Sequence, residues 1–502
     1  MIFSFCLLAT IVGSLLLDTL VRPRPKRAWT GQRSLPGRAL LLAATTTLFG
    51  LFFALSGSAP LAAALAVALL AAFMLASNAK HAVLGEPLLF SDLALVGGMM
   101  RHPGFYLTAL TVRQKAGAVV GIVGLVVALA WLFMPRAGPH LVGAALGVAA
   151  GGVLVAMLRG WTVAGLAPEP DADADVARHG LVATMLLYWW RWRDTPDPPA
   201  CPTPAATLPD TTPELVIVVQ CESFADPVAL TGNPSLALAG LTRARERASL
   251  WGDLAVSGFG AYTMRTEYGV LFGRDEDALG FRRFDPFLTA AREASYALPR
   301  RLGAAGYTGV FAHPHDLRFY RRDRLMPEIG FSRVIGAEGF PPTPPGERYL
   351  DDPTFGTALA ALAAAAAGPT FLYAVTMENH GPWVAGHPAG SPGGLEAYLG
   401  HLRGSDAMLS GLIDHLDAGG RRALLVFFGD HRPSIPGAVE PGPVRHTPYA
   451  MLHFPREEEV SGRRADLSPD ELHHAILHAT LRRGAICRKS ASAPTDVEDK
   501  QS

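Results

Sequence analysis

Several short apolar runs in this 502-residue chain end in residues that can ligate a metal or move a proton. Glu222-Ser223-Phe224 follows LVIVVQ (215–220), and Asp430-His431 follows ALLVFFG (423–429). Met377-Glu378-Asn379-His380-Gly381 follows TFLYAVT (370–376), and His313 and His315 follow YTGVFA. Carboxylate oxygens combined with a neutral imidazole suit one divalent cation. One His or Asp after a strand is commonly a turn or cap residue, but four coincident strand ends argue for a shared site.

A second segment, GFGAYTMRTEYGVLFG (258–273), offers hydroxyls. Small residues lead to Thr263 and Thr266, then Glu267. A hydroxyl presented ahead of a helix can serve as a nucleophile, with the free N–H groups of the first turn facing an anion. Thr266 and Glu267 equally fit an N-cap and a first-turn residue of an ordinary helix.

The elements that must position these groups alternate. Strand-like runs at 215–220, 307–313, 370–376, 423–429 and 449–454 are separated by helical stretches at 235–249, 294–305, 353–367 and 397–417. That order predicts an α/β domain over 215–487 with a mostly parallel sheet covered by helices on both faces. Ligands in such sheets bind beyond the carboxyl ends of the strands, where the candidate residues fall.

The front of the chain differs in kind. Residues 1–165 carry 12 Lys and Arg against 3 Asp and Glu, while the remainder carries 32 against 41. The balanced total, with 49% hydrophobic and 18% charged residues, excludes a disordered tail protein and a basic nucleic-acid binder. Apolar runs at about 2–21, 39–57, 60–78, 116–134 and 140–158 each suffice to cross a bilayer, which predicts a five-helix transmembrane domain at 1–158. Residues 159–214 form the connection. Within it, GLVATMLLYWWRWRD (180–194) fits a helix at headgroup level or a linker helix packed on the soluble domain, and 196–213 is a proline-rich spacer.

Multiple spans followed by strand-ESF, a T-x-x-[ST]-E-[FY] loop, strand-x-x-NHGP and strand-GDH resemble the lipoteichoic acid synthase and phosphoglycerol transferase family, within the sulfatase-like, alkaline-phosphatase superfamily. The resemblance implies metal ligation by Glu222, Thr263, Asp430 and His431, with Thr263 as the nucleophile. It implies that His313, Tyr320 and Arg322 hold the phosphoglycerol headgroup and that His380 is a further active-site histidine. Tyr320 stands where a Trp is usual, and Arg265 lies where small or polar residues are common. Both features bring the chain nearer to the periplasmic-glucan phosphoglycerol transferases.

The implied activity is transfer of glycerophosphate from phosphatidylglycerol to a glycan or polyglycerolphosphate acceptor, with one Mn²⁺ or Mg²⁺. The implied location is a bacterial-type plasma membrane, multi-pass, with the catalytic domain on the extracytoplasmic side. Six Lys and Arg in the loop 22–38 favour a cytoplasmic loop instead, which five spans would pair with a cytoplasmic catalytic domain. A partly embedded segment within 84–108 would reconcile the two.

Other readings compete. A phosphoethanolamine transferase shares the tethered threonine and metal, another sulfatase-like hydrolase would share the fold, and a metal-free relic would only bind an anionic lipid or polymer. A sulfatase modification site is matched only by Ser34-Leu35-Pro36-Gly37-Arg38, between the first two spans. Four scattered cysteines form no metal or disulfide pattern. The closing helix, within 466–483, begins with a Ser468/Glu471 capping box. Its His473, His474 and His478 are expected on a solvated face, and 488–502 is expected to be disordered.

Overall fold

The computed structural model describes residues 1–24, 33–94, 112–160, 165–202, 212–386, 392–456 and 462–481. The tail at 488–502, Cys487, residues 203–211 of the proline-rich spacer and most of the candidate embedded segment lie outside the described residues.

Helices occupy all five apolar runs: α1 (Ile2–Leu20), α2 (Leu35–Ser56), α3 (Ala59–Leu84), α4 (Val112–Leu132) and α5 (Ala137–Arg159). Among the described residues, α1, α2, α3 and α5 are long and apolar enough to cross a membrane. Their outward side chains include Leu16, Leu51, Leu75 and Val148, a surface suited to hydrocarbon and costly in water. Ser34, from the one sulfatase-like modification pattern, caps the N-terminus of α2 and bonds to His179 Nδ1 at 2.7 Å, a structural role.

Two helices follow, α6 (Ala172–His179) and α7 (Leu181–Asp194). One face of α7 buries Leu187, Tyr188 and Trp190 in a cluster with Leu40 and Leu89 from the membrane half and Phe281 and Phe284 from the soluble half. Tyr188 stacks on Phe284 with ring centroids 5.4 Å apart. The helix is therefore packed mortar between the two halves, and Trp189 alone of its three tryptophans is well exposed.

The soluble half folds around one eight-stranded sheet. In chain order the strands are β1 (Leu215–Cys221), β2 (Leu250–Ala255), β3 (Thr308–Ala312), β4 (Arg333–Ile335), β5 (Thr370–Val375), β6 (Ala423–Gly429), β7 (His446–Phe454) and β8 (Arg463–Arg464). Their spatial order is β4-β3-β5-β1-β6-β7-β2-β8, with the first five parallel and β7 antiparallel to both β6 and β2. Side-chain alternation along β1 sends Leu215, Ile217 and Val219 into one core and Val216 and Val218 into the other. Both faces are covered, as a parallel sheet requires.

The expected mostly parallel sheet is present, with a mixed edge. The stretch expected to be helical over 235–249 is shorter, at Ala239–Arg247, and gives way to β2. β2, β4 and β8 lie toward the sheet edges, the first two half-exposed and β8 exposed, and lack the continuous apolar run that marks a central strand. The closing helix, Pro469–Thr480, begins with the Ser468/Glu471 capping box. His473 departs from expectation: it is fully buried and bonds to Val270 O at 2.9 Å.

Candidate active site

β1 and β6 are adjacent and in register, with Cys221 opposite Gly429, so the residues that follow emerge side by side. Glu222 comes from β1, Asp430 and His431 from β6. Their ligand atoms all lie within 4.8 Å of one another, and all three side chains are buried. The close approach depends on Gly429, where a Cβ would lie 1.9 Å from Phe224 O.

The polar atoms of this trio are oriented from behind. Asp430 Oδ1 accepts the N–H groups of Ser223 at 2.8 Å and His431 at 2.9 Å. Ser223 reaches that position with φ of 52°, a left-handed conformation uncommon outside glycine. Ser223 Oγ donates to Glu222 Oε1 at 2.9 Å. His431 Nδ1 lies 3.1 Å from Arg432 O, so it carries the proton, and in the neutral ring Nε2 is the lone-pair atom, facing Glu222 Oε1 at 3.4 Å and Asp430 Oδ2 at 3.7 Å.

The electrostatics of this arrangement ask for a cation. Burial and the Glu222 charge push the Asp430 carboxyl up to about 6. Burial opposes protonation of His431, but Asp430 and Glu222 outweigh it and raise the imidazole. Asp430 Oδ2 is buried with no hydrogen bond of good geometry among the described residues. Two carboxylates and an imidazole with a spare lone pair make a donor set that a divalent ion fits.

The helix Thr263–Phe272, here αN, delivers the hydroxyl. It starts abruptly because Tyr262 takes a left-handed conformation, φ 77°, and it ends at Gly273 in the same region. Thr263 Oγ lies 3.5 Å from His431 Nε2. Thr266, one turn later, donates to Asp430 O at 2.7 Å and ties αN to the β6 loop.

A second buried polar group adjoins the first. Arg322 is clasped by Glu267 of αN, with Nε 3.2 Å from Oε1 and Nη2 close to Oε2. Its Nη1 points at His313 Nε2, 3.3 Å away, while His313 Nδ1 donates to Val375 O at 3.0 Å. Burial and the Arg322 charge lower the His313 pKa well below the usual histidine value, so the ring is neutral. Half-buried Tyr320 lies with its ring 5.3 Å from the Arg322 guanidinium. His380, half-buried at the end of β5, has Nδ1 2.7 Å from Gly381 O and a pKa lowered to about 4 by burial, with His431 acting in the same direction.

The structure thus gathers Glu222, Asp430, His431 and Thr263 in one place, and His313, Tyr320 and Arg322 beside them. His473 lies elsewhere, under αN. Three contributors escaped sequence reasoning. Ser223 and Thr266 orient Asp430, and Glu267 holds Arg322. All three stood inside the ESF and TEY motifs, Thr266 being read as a candidate hydroxyl or an N-cap, whereas the helix is capped at Tyr262 and Thr266 lies within it.

A model of the sulfatase family matches residues 214–480. Across both halves, the chain is 31% identical over 467 residues to the capsular polysaccharide biosynthesis protein RkpI of Rhizobium meliloti (strain 1021), covering 87% of this chain and 86% of that one. A putative cyclic beta-1,2-glucan modification protein of the same organism is 26% identical over 249 residues, 47% of this chain and 38% of its own. Among solved structures, the integral membrane lipooligosaccharide phosphoethanolamine transferase A (EptA) of Neisseria meningitidis shares the fold with a TM-score of 0.54 over 95% of each chain, at 12% identity. The family model covers the α/β domain that carries the site, a relative matches membrane and soluble halves alike, and the chain belongs to the sulfatase family as a membrane-bound enzyme.

Proposed function

We propose that this enzyme is a metal-dependent phosphoglycerol transferase that takes glycerophosphate from phosphatidylglycerol and gives it to a hydroxyl of a glycan. The meeting of the Thr263 hydroxyl with buried Glu222, Asp430 and His431 carries the proposal. Glu222, Thr263, Asp430 and His431 would hold one divalent ion, Mn²⁺ or Mg²⁺, which when bound supplies positive charge that favours the threonine alkoxide and offsets the phosphoryl oxygens.

In the first half-reaction Thr263 Oγ bonds to phosphorus as the bond to the diacylglycerol oxygen breaks. The threonine proton ends on that oxygen, so diacylglycerol leaves as a neutral alcohol and a glycerophosphoryl ester stays on Thr263. In the second half, an acceptor hydroxyl bonds to the same phosphorus, the ester bond breaks and Thr263 regains a proton. His380 is neutral near pH 7, and its Nδ1–H faces Gly381 O, so Nε2 holds the lone pair that can receive the acceptor's proton. His313, Tyr320 and Arg322 are assigned the headgroup, with Glu267 fixing the Arg322 fork.

A glycan is preferred over polyglycerolphosphate as acceptor because the relatives bear the names capsular polysaccharide biosynthesis protein and putative cyclic beta-1,2-glucan modification protein. A lipid donor suits a site whose chain begins in the membrane. In this proposal five spans cross the plasma membrane, the N-terminus is inside, and the catalytic domain faces outward.

The test is diacylglycerol release from acyl-labelled phosphatidylglycerol by the detergent-purified full chain with Mn²⁺, beside Thr263→Ala. Metal-dependent release lost in the variant supports the scheme, and a fully active variant overturns it. Phosphatidylethanolamine is the second donor to try, because the fold matches the phosphoethanolamine transferase EptA over nearly the whole chain.

A further inference from the structure

The residue before the nucleophile and the residue two beyond it are both held from the membrane half. Arg265 directs Nη1 and Nη2 to the two oxygens of Glu86, at 2.8 and 3.0 Å, and Nε to Phe284 O at 3.2 Å. Glu86 follows α3 directly and also accepts from Lys80 Nζ of that helix at 3.1 Å. Lys80 continues to Asp92 Oδ2 at 2.5 Å. The Arg265 guanidinium lies 3.9 Å from the Tyr262 ring, and Lys80 Nζ approaches the same ring at 5.4 Å.

This arrangement bears on catalysis through Tyr262. Its left-handed backbone starts αN and aims Thr263, and a bulky residue holds that conformation only when its surroundings fix it. A bidentate Arg-carboxylate pair has the directionality to do so, which a Lys in place of Arg265 would lack. The nucleophile loop meets the same segment again at Gly260, φ 64°, whose Cβ position lies 2.4 Å from Ser434 Cβ and 3.2 Å from Leu84 Cδ2. Ser434 Oγ in turn donates to Val83 O at 2.7 Å. The loop carrying the nucleophile and the loop following Asp430-His431 therefore both rest on residues 83–86. Although burial opposes it, Arg265 and Lys80 hold the Glu86 carboxyl down at about 2, so the pair stays charged across the working range.

We propose that Glu86 is a positioning residue for Thr263, acting through Arg265 and Tyr262, so that the end of the membrane helix α3 sets the aim of the nucleophile. The proposal rests on Thr263 being the nucleophile and extends it: the membrane half helps build the active centre besides anchoring it. An aim set from the bilayer side would fix the hydroxyl relative to the headgroup plane of a lipid substrate.

The test uses the full chain in detergent with Glu86→Gln, Glu86→Asp and Arg265→Lys. With phosphatidylglycerol, Glu86→Gln is expected to lower kcat at least tenfold while KM stays within threefold, and Glu86→Asp to recover part of the loss. Hydrogen exchange at amides 263–267 needs no substrate: it is expected to speed at least tenfold in Glu86→Gln and Arg265→Lys, with β1 amides unchanged. Unchanged exchange, or faster exchange with wild-type kcat, overturns the proposal. If wild-type protein turns over no phosphatidylglycerol, the donor assignment falls and the exchange data alone decide whether Glu86 fixes the loop.

Discussion

Thr266 Oγ donates a 2.7 Å hydrogen bond to the main-chain carbonyl of Asp430, joining αN to the loop that carries two candidate metal ligands. Both groups are fully buried, so the bond has no water to replace it. Thr266→Val keeps the shape and removes the donor, leaving a buried acceptor unpaired at a cost of about 1–3 kcal/mol. The expected result is a modest fall in melting temperature and a larger fall in turnover, because αN is free to shift against Asp430. Equal kcat in Thr266→Val and wild type would remove this bond from the list of features that organise the site.

A metal bound by Glu222, Asp430 and His431 relieves the repulsion of two buried carboxylates. Mn²⁺ is therefore expected to raise the melting temperature, with a dependence on free metal that follows binding to the folded state. Glu222→Gln and Asp430→Asn each remove one anionic ligand, and a loss of at least about a hundredfold in affinity is expected from either. Calorimetric titration checks this without any substrate. Thr263→Ala should lose far less affinity than either, since a neutral hydroxyl contributes least of the four.

Burial, with His474 adding to it, lowers the His473 pKa well below 6.5, and its Nδ1–H is committed to Val270 O. In the unfolded chain the ring protonates near 6.5, whereas in the folded protein it resists until lower pH. The unfolded state thus binds more protons below 6.5, and folding stability falls as pH drops through that value. Thermal melts of the full chain between pH 7.5 and 5.5 should show the decline, and His473→Asn should flatten that part of the curve. An identical slope in the variant would assign the acid sensitivity to other groups.

The site was legible in sequence where chemistry follows a buried strand. β1, β5 and β6 are buried along their whole length, so each appears as a largely apolar run whose following polar residues must lie beyond the carboxyl end of the strand. Glu222, Asp430 and His431 could be picked out for that reason. Arg265 could not, because its partner Glu86 is 179 positions away in the other half of the chain and no local pattern marks the pair. It looked like a misplaced charge in a loop of small residues. His473 failed for the opposite reason: three histidines on an amphipathic helix suggest water, and only the packing of that helix under αN reveals the carbonyl of Val270 as its partner. Strands near the sheet edge such as β2 escaped because a half-exposed strand mixes polar and apolar residues much as a loop does.

Gly429 offers the sharpest test of how the two strands that carry the candidate metal ligands approach. A methyl group there would sit 1.9 Å from Phe224 O and 3.1 Å from Thr447 Cβ, and the first contact is with backbone that cannot rotate away. Gly429→Ala must therefore part the ends of β1 and β6, at a packing cost of about 1–3 kcal/mol. The movement falls directly beside Glu222 and Asp430, whose alignment depends on the Ser223 N–H bond across the same gap. Loss of Mn²⁺ binding is expected to exceed what the loss of stability alone would produce: at a temperature where the variant is still folded, metal affinity should be at least about tenfold weaker. A variant that folds and binds metal as the wild type does would show that the approach of β1 to β6 is not what brings the ligands together.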